Sequence, residues 1–134
     1  MNRKIEAIKV ELARRNIQGM IISNPENIKY IIGVDCKGEL LLTDSNSILI
    51  IDKKYIEEVN SKITIDDQIS VYENGTVSDR EGYDFFEYCP RVGIEENYIT
   101  YAGYTQILRK YRIKEPAETE YLIEKIRERR VDLR

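Results

Sequence analysis

Cys36 stands beside Lys37, and a cation next to a thiol lowers its pKa and favours the reactive thiolate. Nothing else in the sequence completes that chemistry. Histidine is absent from all 134 residues, which removes the commonest general base, the commonest transition-metal ligand and any Ser-His or Cys-His nucleophile pair. Cys36 therefore reads as an inert loop thiol. Cys89 lies far away, and neither cysteine belongs to a CxxC pair, so disulfide and zinc readings lack support and both thiols are expected reduced. The glycines of "KGE" and "ENG" are turn glycines, since neither belongs to a Gly-rich loop opening a helix around a phosphate. The run "RERRVDLR" carries four arginines where they complement a helix C-terminus, and it reads as a solvated end.

With 42% hydrophobic and 34% charged residues, a chain of this length supports one core, so a single domain over residues 1–134 is expected. A net charge of -3, with basic and acidic residues interleaved, gives no general attraction to nucleic acid or anionic lipid. The longest apolar runs, "GMII", "YIIGV" and "SILIID", fall far short of the roughly 20 residues that span a bilayer. The N-terminus is amphipathic rather than signal-like, and the protein is expected in the cytoplasm.

The stretch "SNPENIKYIIGV" is the most informative. Pro25 suits the first turn of a helix, with Asn24 or Ser23 as cap and Glu26 at capping-box spacing from Ser23. Ile28, Ile31 and Ile32 share one face, and Gly33 supplies a left-handed stop. Around it, the pattern predicts a helix over about Asn2 to Asn16 and a buried strand at "IQGMIIS". A hairpin, "ELLLT" to "SILIID", then turns at "DSN", and a short helix at "KKYIEEVNSK" turns Tyr55, Ile56 and Val59 inward. Further on come a strand at "QISVY", a turn at "NGTVS", and a helix opened by Ser78 and Glu81 over Tyr83, Phe86 and Tyr88. "RVGIE" is a strand, a helix begins near Tyr101, "YRIKEP" is a last strand, and a helix over about Thr119 to Arg130 buries Leu122, Ile123 and Ile126. The fold class is α/β, a mixed sheet of about five to six strands flanked by helices.

The order "NPENIKYIIGV", hairpin, "IDKKYIEEV", "VGIEENYITYAGY", "LIEKIRERR" resembles the N-terminal domain of the creatinase/prolidase family, which includes Xaa-Pro aminopeptidases and Xaa-Pro dipeptidases. That resemblance implies a ribonuclease H-like motif. It also implies a second, pita-bread domain, absent from this chain, in which aspartates, a histidine and glutamates hold two divalent metal ions of the Mn, Co or Zn type. No cofactor is expected in the chain itself. The chain alone is expected to be inactive, and the parent protein a metal-dependent Xaa-Pro peptidase or creatinase-like enzyme.

The resemblance further implies that the loop after Gly33 faces the catalytic domain of a second subunit. Val34, Asp35, Lys37 and Tyr55 would then form part of a substrate-pocket wall supplied in trans. The implied partners are the protein's own catalytic domain and a second subunit, as a homodimer, without nucleic acid or membrane. The alternative is a free-standing interaction or oligomerisation module. A third possibility, suggested by the ribonuclease H likeness, is a small two-metal enzyme using Asp44, Asp52 and Asp66-Asp67. It is disfavoured because "GMIIS" carries no carboxylate and Asp44 and Asp66-Asp67 fall in turns, so their oxygens would not converge.

Overall fold

In the computed structural model, which describes residues 2–75 and 84–129, a first helix, α1 (Arg3–Arg14), starts where Asn2 accepts the Ile5 N–H at 3.0 Å. Its stripe of Ile5, Ile8 and Leu12 is buried, the 3.6-residue spacing expected of a helix laid on a core. Strand β1 (Gly19–Ile22) follows and is buried at all four positions, because both faces of the sheet are covered. Helix α2 (Pro25–Ile32) has proline in its first turn and ends on Gly33 at φ 88°. Its cap is Asn24, whose side chain accepts the Glu26 N–H, rather than the Ser23 capping box that the spacing allowed.

Strands β2 (Gly38–Thr43) and β3 (Ser47–Ile51) form the expected antiparallel hairpin, closed where the Thr43 N–H meets the Asn46 carbonyl at 2.9 Å. Helix α3 (Lys53–Lys62) buries Val59, with Tyr55 and Ile56 packed at the core margin. A 3-10 turn (Ile65–Asp67) leads to β4 (Ser70–Glu73). The expected capping box of Ser78 and Glu81, with Tyr83, lies outside the described residues. Beyond it Phe86 is 2% exposed and Tyr88 is 87% exposed. Then come β5 (Arg91–Ile94), α4 (Tyr101–Lys110) capped by Thr100, β6 (Glu115–Glu118) and α5 (Leu122–Glu128).

The last strand lies about four residues later than "YRIKEP" suggested. Tyr111 remains on the end of α4 through its N–H bond to the Ile107 carbonyl, and Arg112 turns the chain at φ 49° before extension resumes. Pro116 tolerates this position because β6 is an edge strand.

The six strands are ordered β4-β3-β2-β1-β5-β6, and β2 alone runs against its neighbours. Strand alternation splits the core in two. Met20, Ile22, Leu40, Leu42, Leu49 and Ile51 face the layer of α1, α2, α3 and α5. Ile21, Leu41, Ile50 and Val92 face Phe86, Ile107 and Tyr111. The carboxyl ends of β1, β3 and β5 consequently share one edge of the sheet. The helix after β1 goes to one face and the helix after β5 to the other, which leaves a crevice between these adjacent parallel strands.

Candidate functional site

Gly33 and Gly38 bracket the segment that emerges at this edge. Gly33 takes a left-handed φ that L-residues reach only with strain. Gly38 pairs with Ile51 so closely that a Cβ would sit 2.1 Å from the Ile50 carbonyl oxygen. Between them inward and outward side chains alternate. Val34 and Cys36 are each 1% exposed and belong to the core, whereas Asp35 and Lys37 face solvent. Val34 therefore supports the loop from beneath, and the rim is left to Asp35 and Lys37. Burial, with Asp35 and Glu58 adding repulsion, pushes the Cys36 thiol up, so Lys37 does not activate it.

Two adjoining clefts open on either side of the start of β2. One, of about 600 Å³, lies between the exit of β1, the start of β2 and α4, and is lined by Ser23, Lys37, Glu39, Tyr98, Thr100 and Lys110 among others. The other, of about 410 Å³, is lined by Lys37, Glu39, Asp52, Tyr55, Asn74 and Lys110 among others. Lys37 and Tyr55 thus come together on one cleft wall, while Asp35 lines neither. Glu39 accepts the Tyr111 hydroxyl and lies 3.5 Å from Lys110 Nζ. Burial first, and then Glu39, drives the Tyr111 phenol far above its ordinary value, so it serves as a neutral donor.

The corners behind these clefts are held by two consecutive carboxylates that sequence reasoning missed. Glu95 Oε1 accepts the N–H groups of Ser23 at 2.5 Å and Asn24 at 2.8 Å, and its Oε2 accepts Asn27 Nδ2 at 2.6 Å. Glu96 accepts the N–H groups of Thr119 and Glu120, both at 2.9 Å. The two side chains at the end of β5 therefore fix the exits of both neighbouring parallel strands. Burial raises the Glu95 pKa against the three hydrogen bonds that favour its charged form, with Glu124 adding to the rise. The available signal was a carboxylate pair directly after a buried strand, opposite the free N–H groups of a Ser-Asn-Pro corner.

The remaining acidic candidates lie in turns or at a helix start, and of these Asp67 is held by side-chain hydrogen bonds. Asp67 accepts the Thr64 N–H at 2.8 Å and Asn2 Nδ2 at 3.3 Å, closing the 3-10 turn onto α1. Asp52 stands at the start of α3, and Asp44 lies in the hairpin turn. Among the described residues, no group of three or more His, Cys, Asp or Glu could hold a metal ion, and no helix is long and apolar enough to cross a membrane. What the edge offers is a charged, cleft-bearing rim on a fixed scaffold.

The family described as Creatinase/Prolidase N-terminal domain matches residues 4–129. Among solved structures, the fold is similar to the N-terminal domain of the cytoplasmic peptidase PepQ from Mycobacterium tuberculosis H37Rv, with TM-score 0.78 and 20% identity over 94% of this chain and 99% of that one. It is also similar to an Xaa-Pro dipeptidase from Bacillus anthracis, with TM-score 0.77 and 20% identity over 92% of this chain and 35% of that one. The prolidase from Pyrococcus horikoshii OT3 gives TM-score 0.76 and 23% identity over 94% and 35%. The chain thus spans about a third of the length of the dipeptidase and the prolidase. No curated protein matches the sequence significantly.

Proposed function

The chain belongs to the creatinase/prolidase N-terminal domain family, and from that premise we propose that it is the non-catalytic N-terminal domain of an Xaa-Pro dipeptidase- or aminopeptidase-like metallopeptidase. In this reading it contributes to subunit assembly and to the substrate-pocket wall of a partner subunit, in a cytoplasmic homodimer. The two divalent metal ions and the hydrolytic groups belong to the catalytic domain of the parent protein. The wall is formed by Lys37 and Tyr55, with Asp35 exposed on the same loop outside the clefts and Val34 beneath it.

The observation that carries this reading is the outward presentation of Lys37 between two clefts, on a loop whose ends are pinned by Gly33 and Gly38. A side chain held in that way affects substrate position more than bond breaking. In the peptidase that carries this domain, Lys37→Ala is expected to raise KM for Xaa-Pro peptides about tenfold, equivalent to roughly 1.4 kcal/mol, while kcat and metal content are kept. Wild-type constants across a panel of such peptides would contradict the assignment.

A further inference from the structure

Asn27 is fully buried on α2, and its amide touches three charged groups from two other elements. Its Nδ2 donates to Glu95 Oε2 on the β5 exit at 2.6 Å and to Glu124 Oε2 on α5 at 3.3 Å, while its Oδ1 accepts Arg127 Nη1 from α5 at 3.0 Å. Two carboxylates on one side and a guanidinium on the other leave the amide a single orientation that satisfies all three. Glu95 in turn holds the Ser23 and Asn24 N–H groups that begin α2.

We propose that Asn27 is a positioning residue that couples the seating of α5 to the placement of the Gly33–Lys37 loop, so that displacement of α5 is transmitted to the rim of the clefts. Helix α2 has eight residues, ~12 Å at 1.5 Å per residue, and runs from the Glu95-bound corner directly into Gly33. It contains no glycine, and its single proline occupies the first turn, where a helix is not broken, so it moves as one lever. Its far end also meets α1, where Lys4 Nζ donates to the Tyr30 carbonyl at 2.7 Å and lies 4.4 Å from the Tyr30 ring centroid. Arg127 also lies 6.0 Å from that ring, so α5 meets both the polar and the aromatic contact of the same short helix. The inference uses the wall reading only for what the loop does; the coupling itself is measured on this chain without catalysis, and either can fail alone.

The test exchanges donor and acceptor. Asn27→Asp sets a third carboxylate against Glu95 and Glu124, and Glu95→Gln turns an amide donor toward either Asn27 Nδ2 or the Ser23 and Asn24 N–H groups. Each is expected to lower the folded-to-unfolded ratio about five- to thirtyfold and to shift the backbone amide resonances of Gly33 to Lys37. The double variant pairs the new carboxylate at 27 with the new amide at 95 and keeps an acceptor for the Ser23 and Asn24 N–H groups. With the carboxylate at 27 still facing Glu124, it is expected to recover part of the ratio lost in Asn27→Asp and to return the loop resonances toward those of the wild type, a rescue that a simple packing role would not produce. Losses that merely add in the double variant would overturn the proposal. Should a single variant fail to fold, Arg127→Met provides the second reading: shifts reaching Asp35 and Lys37 support the coupling, and shifts confined to α5 and Tyr30 refute it.

Discussion

Tyr111 donates its hydroxyl to Glu39 Oε1 from a position with no exposed surface, its ring set edge-on to Phe86 with centroids 6.0 Å apart. The bond joins the end of α4 to the second residue of β2 and places a carboxylate between the two clefts, beside Lys110.

Tyr111→Phe keeps the ring and removes the donor. A hydrogen bond to a charged acceptor contributes about 1.5–3 kcal/mol, partly offset here because Glu39 keeps Lys110. The pH dependence gives a sharper sign. The folded phenol is raised above its ordinary value of 10.0, so its contribution is complete below that pH and is lost as pH rises above it, where only the unfolded chain ionises. Urea unfolding should show the wild-type advantage over Tyr111→Phe shrinking above pH 10. An advantage that stays constant or grows there would mean the phenol is not held neutral.

The two loop glycines should respond differently. At Gly33 nothing lies within 4 Å of an added Cβ, so Gly33→Val costs backbone strain alone, on the order of 1 kcal/mol or somewhat more, and Gly33→Asn less. At Gly38 the obstacle is the Ile50 carbonyl oxygen, which cannot yield without opening the hairpin. Gly38→Ala is therefore expected to cost more than Gly33→Val, beyond the usual 1–3 kcal/mol of overpacking. Denaturation midpoints in the reverse order would show that the two turns have been assigned the wrong constraints.

The chain by itself should be catalytically silent. With added manganese or cobalt it is expected not to hydrolyse Xaa-Pro dipeptides, creatine or oligonucleotides above background, because it supplies no imidazole and Asp67 is engaged in a turn. Turnover that copurifies with the protein and disappears in an Asp66→Asn, Asp67→Asn variant would contradict this.

What could be read in the sequence was whatever depends on neighbours along the chain. Helix α2 could be placed to the residue because Pro25 and Gly33 act locally, through a fixed φ and a left-handed stop. The hairpin and α3 were equally legible from alternation and periodicity. The cap went to Asn24 rather than Ser23 because the Ser23 N–H is drawn to Glu95, a residue 72 positions away. Asn27 and Glu95 look like solvated surface residues in sequence. Asn27 is contacted by α5 across about 100 positions of sequence, a pairing that no local pattern announces, whereas for Glu95 the one local signal was its place directly after a buried strand. Val34 was placed on the rim by analogy, whereas the two-residue alternation after Gly33 turns it into the core. The last strand begins after Tyr111 because that residue is fully buried, held by Glu39 and by the Ile107 carbonyl at the end of α4, contacts with distant residues that the local pattern does not show.

Whether the wall is supplied across the subunit interface is decided by mixing subunits of the proposed parent peptidase. One subunit carries Lys37→Ala with an intact catalytic domain; the other carries a wild-type N-terminal domain and a catalytic domain whose metal-binding residues are removed. In the mixed dimer the working metal site faces the wild-type wall of its partner. KM for an Xaa-Pro dipeptide is expected to return to the wild-type value there, while the Lys37→Ala homodimer keeps its raised KM. A mixed dimer with the same raised KM as the homodimer would place the effect of Lys37 within its own subunit and would contradict the proposal.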